Sequence, residues 1–292
     1  QLTPTVNEWP TASAITYGDA LSGSTLSGGS ASVDGTFGFD APATTPDAGA
    51  YSAAVTFTPT DTVTYATVSG SVDVTVNKAT PTVTEWPAAG AITYGQALSD
   101  SALSGGSASV AGTFAFTAPG TTPAAGTATQ GVTFTPTDTD NYMAVAGSTS
   151  VTVNKATPTV SEWPTASAIT YGDTLADSTL SGGSASVAGS FDFDSPTTAP
   201  DAGTNSQPVT FTPTDADNYE TVAGNADVTV NKATPTVTGW PTASDITYGE
   251  TLADSLLSGG SADVAGTFDY DSPGTTPEAG TASHAVTFTP TD

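Results

Sequence analysis

The chain has 292 residues with 29 acidic side chains, three lysines, one histidine and no cysteine, giving a formal net charge of −26. The lack of cysteine excludes disulfides, thiol catalysis and thiolate metal sites. So few cations speak against nucleic acid or an anionic membrane surface as a partner, and no apolar run approaches the roughly 20 residues of a membrane span. No signal peptide opens the chain, which reads as an internal or mature segment.

Val, Ile, Leu and Phe together make up only 48 of the 292 residues, a share usually associated with disorder at high net charge. The pattern overrules the composition. Disordered chains are poor in aromatic and β-branched residues, and here both recur at fixed places. Trp9, Trp86, Trp163 and Trp240 are 77 residues apart, and so are Tyr17, Tyr94, Tyr171 and Tyr248. Lys78, Lys155 and Lys232 keep the same step. The units are 1–77, 78–154, 155–231 and 232–292, the fourth lacking the last 16 positions. That fourth unit reads as part of a longer array. A 77-residue period exceeds the 20–50 residues of solenoids and propellers, so each copy is expected to be a small domain.

Within a copy the signals are strand and turn. Taking the second copy in chain order, Thr80–Glu85 reads as a first strand stopped at Trp86-Pro87. A short strand is expected over Ala91–Gly95, a turn at Ser104-Gly105-Gly106 followed by Ala108–Val110, and an alternating strand over Gly112–Phe116. A Pro/Gly/Thr loop from Pro119 to Gly126 leads to Val132–Pro136, and the copy closes with Tyr142–Gly147 and Ser150–Asn154. Short alternating runs between turns predict an antiparallel sandwich or barrel, and no amphipathic helix is apparent. Phe114 and Phe116, two residues apart, should face the same core.

These motifs (Lys-Ala-Thr-Pro-Thr-Val-x-x-Trp-Pro, Ile-Thr-Tyr-Gly, Gly-Thr-Phe-x-Phe, Val-Thr-Phe-Thr-Pro-Thr-Asp and Val-Thr-Val-Asn) resemble the tandem bacterial Ig-like (MBG-type) repeats of large secreted and cell-surface, adhesin-like proteins. The resemblance covers the whole chain. It implies an all-β, end-to-end array of small Ig-like antiparallel β-sandwich domains, placed outside the cell and used as a stalk or spacer. It brings no catalytic or ligand-binding residue with it. Asp138-x-x-x-Tyr142 and Asp215-x-x-x-Tyr219 have the spacing of a tyrosine corner, in which a buried Tyr hydroxyl bonds back to nearby backbone, and Asp61 and Tyr65 match.

No catalytic constellation is present. His284 is expected to be an exposed strand residue, and the serines and threonines have no adjacent base. Calcium is the best chemical candidate, since clustered carboxylates and amide oxygens on turns suit a hard cation. Asp138, Asp140 and Asn141, with Asp215, Asp217 and Asn218, are the candidate ligands. The competing reading is that they form turns and solubilise the chain. Other acidic slots drift between copies: Asp19, Gln96, Asp173 and Glu250 are equivalent, as are Gly23, Asp100, Asp177 and Asp254. A Lys–Asn isopeptide crosslink at Lys78, Lys155 or Lys232 is disfavoured, because the junction should be exposed.

Each tryptophan, set before proline between two Val-rich strands, is expected to seal the joint between copies, with sugar stacking as the functional rival. The remaining aromatics are read as core. A core this small barely outweighs chain entropy, so contacts with neighbouring repeats are expected to supplement it. The favoured function is a spacer without catalysis or cofactor; the alternative is a repeated binding module for a glycan or protein, with calcium as its possible aid.

Overall fold

The structure is a computed structural model describing residues 1–292. It consists of strands, turns and four short 3-10 turns. In the first repeat the strands are β1 (Val6–Glu8), β2 (Thr11–Ala12), β3 (Ile15–Thr16), β4 (Leu26–Ser27), β5 (Ser30–Ala31), β6 (Gly35–Phe39), β7 (Gly49–Pro59) and β8 (Val68–Asn77). The second and third repeats repeat this set at the 77-residue step.

One layer is a four-stranded sheet in the order β3-β8-β7-β6. Its long ribbon, β7 against β8, is antiparallel from Gly49↔Val76 to Phe57↔Val68, while β3 runs parallel to the end of β8. The second layer is a narrow antiparallel ribbon, β1-β2 against β5-β4. Its two sides bend at facing places, Trp9-Pro10 and Gly28-Gly29. Pro10 has no N–H for the ladder, and Gly28 and Gly29 adopt φ of +71° and +84°, where only glycine is unstrained.

Alternation along β8 buries Val72, Val74 and Val76 and leaves the intervening residues in solvent. These valines meet Ile15, Leu21, Ala53 and Val55, with Trp9, Ala12, Leu26, Phe37 and Phe39 packed around them. The second repeat buries Phe116, and Phe114 packs on the same cluster, as the spacing predicts. Leu21, Leu98, Leu175 and Leu252 plug the cores from the 3-10 turns and are at most 5% exposed.

The drifting acidic slots are turn acceptors. Asp19, Gln96, Asp173 and Glu250 each accept the backbone N–H of the residue three before, at 2.6–3.0 Å. An acid or an amide serves equally, so the side chain varies. Asp177 and Asp254 accept both the N–H and the hydroxyl of Thr174 and Thr251, and these bonds hold their carboxyls below the usual carboxylate range.

Contacts group the chain into two compact units: Gln1–Pro158 with Pro213–Thr221, and Thr159–Thr212 with Val222–Asp292. The first therefore holds two repeats plus the short corner segment of the third. The second unit ends in the fourth repeat, where Gly266–Tyr270 pairs with Val286–Pro290 as a two-stranded sheet.

The tryptophans do not seal joints. Trp9, Trp86 and Trp163 lie flat on Gly70, Gly147 and Gly224 in the closing strand of their own repeats, so closely that a Cβ on the glycine would overlap the indole. Each also packs edge-on against a phenylalanine of its own repeat, at 5.7 Å between ring centres. A bare glycine mid-strand provides the flat floor that an indole requires.

Candidate functional site

The joint between repeats is built by the corner. After Pro136 the chain turns through Asp138-Thr139-Asp140-Asn141-Tyr142 before entering the closing strand Val145–Asn154. Asp138 closes the turn on itself: its Oδ1 accepts the Asn141 N–H at 3.1 Å and its carbonyl accepts the Tyr142 N–H at 3.1 Å. This is the self-bonding turn chemistry expected of Asp before a polar pair.

The turn then reaches the preceding repeat. Asn141 Oδ1 accepts the N–H of Ala48 at 2.8 Å. Its Nδ2 donates to Asp138 Oδ2 at 3.0 Å and to Asp47 Oδ1 at 3.3 Å. The Asn141 side chain is thus a single amide spanning two repeats, and it is only 8% exposed. Beside it Tyr142 packs edge-on against Tyr17, with ring centres 5.3 Å apart and planes at 82°. Within its own repeat the corner is held by Ala79, which donates to the Asn141 carbonyl and accepts from Met143, both at 2.9 Å. Lys78 Nζ donates to the Thr139 carbonyl at 2.6 Å.

The same joint recurs 77 residues on. Asn218 Oδ1 accepts the Ala125 N–H at 2.8 Å, and Tyr219 meets Tyr94 at 5.3 Å and 82°. Lys155 Nζ donates to the Ala216 carbonyl at 2.6 Å. Here Ala124 stands where Asp47 does, and Asn218 Nδ2 spends both bonds on Asp215, at 3.1 and 2.9 Å. In the first repeat Thr64 replaces the asparagine, and Gln1 Nε2 replaces the lysine, donating to the Thr62 carbonyl at 2.6 Å.

The corner is therefore not the self-contained one that the spacing predicts. Tyr142 and Tyr219 are half-buried and spend their rings on the preceding repeat. Of the six candidate calcium ligands, Asp138 meets Asn141 and Asp215 meets Asn218, but through the amide N–H groups rather than with their oxygens turned to a common point. Asp140 and Asp217 point into solvent, Asn141 and Asn218 have their side-chain oxygens on backbone N–H groups, and Asp138 and Asp215 bond their own turns. Asp47 is the one carboxylate that sequence reasoning left out, and no three acidic or histidine side chains gather where an ion could sit. The lysines are exposed, as the argument against an isopeptide bond requires. His284 departs from expectation: it is half-buried, and its Nε2 has no hydrogen-bond partner.

The joint leaves an electrostatic mark on Tyr17. Desolvation first, then the charges of Tyr142, Asp138 and Asp47, raise its phenol above the ordinary value of 10. A raised folded-state pKa means stability that is complete below the unfolded value and lost as pH rises through the folded one. Urea unfolding midpoints from about pH 9 to 11 should fall more steeply for the native chain than for Tyr17→Phe. Parallel curves would deny the tyrosine that role.

No protein-family model matches the chain, and no curated protein matches it. Among solved structures, the titin I67–I69 E-to-A variant is similar at a TM-score of 0.32 and 11% identity, over 79% of this chain and 99% of that one. Drosophila N-cadherin EC1-4 gives 0.28 and 12%, over 79% and 75%. Sidekick-1 immunoglobulin domains 1-5 give 0.28 and 11%, over 82% of this chain but only 63% of that one. Likeness at this level says nothing about what the chain binds. The strand order, the two-layer packing and the 77-residue recurrence themselves define a tandem array of small Ig-like β-sandwich repeats.

Proposed function

We propose that the chain is a non-catalytic spacer of a bacterial extracellular or cell-surface, adhesin-like protein, in which each repeat is clasped to the one before. The observation that carries this is the Asn141 amide, whose oxygen bonds the preceding repeat and whose N–H groups are shared between the two. The junction sequence Val-Thr-Val-Asn-Lys-Ala-Thr-Pro-Thr-Val has no Gly/Ser tract and supports a stiff connection. No helix is long and apolar enough to cross a membrane. The acidic surface supports the reading as well, since like charge keeps neighbouring spacers apart and soluble. A glycan reading would use the tryptophans, but three of the four lie against glycine in their own repeats.

Small-angle scattering of the whole chain, in chelator and again in millimolar calcium, tests the spacer. An extended, stiff particle in both conditions is expected, with thermal midpoints that coincide. A compact particle would overturn the spacer reading. Stiffening only with calcium would make the corner carboxylates ligands instead.

A further inference from the structure

The chain has two contacts between tyrosine rings, and both cross a joint between repeats. Tyr17 of the first repeat meets Tyr142 of the second, and Tyr94 of the second meets Tyr219 of the third, each at 5.3 Å between centres and 82° between planes. All four rings are half-buried. Their backbones are pinned on both sides of the joint. The N–H groups of Tyr17 and Tyr94 donate to the carbonyls of Asn77 and Asn154 at 2.8 Å, and those of Tyr142 and Tyr219 donate to the carbonyls of Asp138 and Asp215 at 3.1 Å. Beside Tyr142, the Asn141 amide holds the two repeats in register. After burial, the Tyr142 phenol is the largest influence raising the Tyr17 phenol, so the two hydroxyl ends lie near one another.

The geometry points to a covalent modification site at each joint, where oxidation turns the tyrosine pair into an ortho,ortho-linked dityrosine. A one-electron oxidant driven by a peroxide removes one electron and one proton from each phenol. The two phenoxyl radicals then join through the ring carbons next to their hydroxyls, forming one C–C bond. The hydrogen on each of those carbons is exchanged for one on the neighbouring oxygen, which restores both aromatic rings. The two electrons cleave the peroxide O–O bond; hydrogen peroxide, with the two released protons, becomes two waters.

Edge-on rings already in contact need only turn about χ2, a broad torsion in tyrosine, to bring those carbons together. At about 1 μM chain, partners held in one molecule outrun partners in another by about a thousandfold, because their effective concentration is at least about 1 mM. The bond ties each repeat to the next at the place the clasp already holds. With no cysteine in the chain, no disulfide can do the same. Met143, exposed beside Tyr142, diverts oxidant to its sulfur. Glu220 stands in its place in the second joint, so Tyr94 and Tyr219 should couple at least as fully.

The test uses the full chain carrying Tyr171→Phe and Tyr248→Phe, which removes the two exposed tyrosines. It is illuminated briefly with a ruthenium bipyridyl complex and peroxodisulfate, a peroxide. Digestion before aspartate then leaves Tyr17, Tyr94, Tyr142 and Tyr219 in four different peptides, each the only tyrosine of its peptide. Dityrosine fluorescence is expected, with an intact mass lower by two hydrogens per joint and two joined peptide pairs, Tyr17 with Tyr142 and Tyr94 with Tyr219. Tyr142→Phe should abolish the first pair and keep the second. In unfolding urea the coupling should scatter over other tyrosines. The proposal is overturned if other pairs dominate in the folded chain, or if the yield rises in proportion to chain concentration. The same two pairs dominating in urea would overturn it too, as would loss of tryptophan with all four tyrosines intact.

Discussion

Gly147→Leu in the chain itself should cost about 3 kcal/mol or more, at the upper end of overpacking effects, measured as the drop in urea midpoint of the second repeat. The position looks permissive, being an interior residue of an exposed-edge alternation. It is not, because the Trp86 indole occupies the space a side chain would need. The strand cannot retreat, as its neighbours Val151 and Val153 are buried in the core. The indole must leave instead, giving up its edge contact with Phe114 and its cover on the cluster around Val132. Gly120→Ala, with open space around its Cβ position, is the control and should be nearly silent. If the two variants unfold alike, the tryptophan platform is not what requires the glycine.

Asn141→Ala should separate the first two repeats energetically. It leaves the Ala48 N–H without its acceptor and removes the amide lying between the carboxylates of Asp47 and Asp138. A lost buried partner costs about 1–3 kcal/mol. The diagnostic readout is cooperativity, with a single unfolding transition for these repeats in the native chain giving way to two. Asn141→Asp keeps an acceptor but adds a third carboxylate to the pair, so it should be worse at neutral pH and recover below about pH 4, where carboxylates protonate. In the second joint Asn218→Ala should cost less, because Ala124 leaves only Asp215 to be bridged. Unchanged cooperativity in Asn141→Ala would remove the basis for a stiff connection.

The strands and the period were legible because both depend on local pattern. Alternation places Phe114 and Phe116, and Pro87 and the Gly-Gly turns mark the bends. What the corner does was not legible. Its spacing is local, but its partners Asp47 and Ala48 are 94 and 93 residues from Asn141, and nothing in a run of Asp, Thr and Asn shows which way an amide points. One signal did exist: Asn141 and Asn218 hold the same place in the second and third copies, where the first copy has Thr64. The tryptophan was misplaced for a related reason. Gly70, Gly147 and Gly224 sit inside strands, where glycine marks close approach of another group, and that signal pointed to a partner within the same repeat.

The register of the joint also bears on how such an array could lengthen. Every grip residue and every corner residue keeps the 77-residue phase, with no insertion between copies. Recombination that gains or drops whole periods therefore yields the same joints again, wherever in the period the crossover falls. An out-of-phase event leaves a corner without its grip. The replacement of Asp47 by Ala124 with the amide bridge intact shows how much drift a copy can accumulate and still be exchangeable. The number of repeats can then change by whole periods, with no new interface to invent.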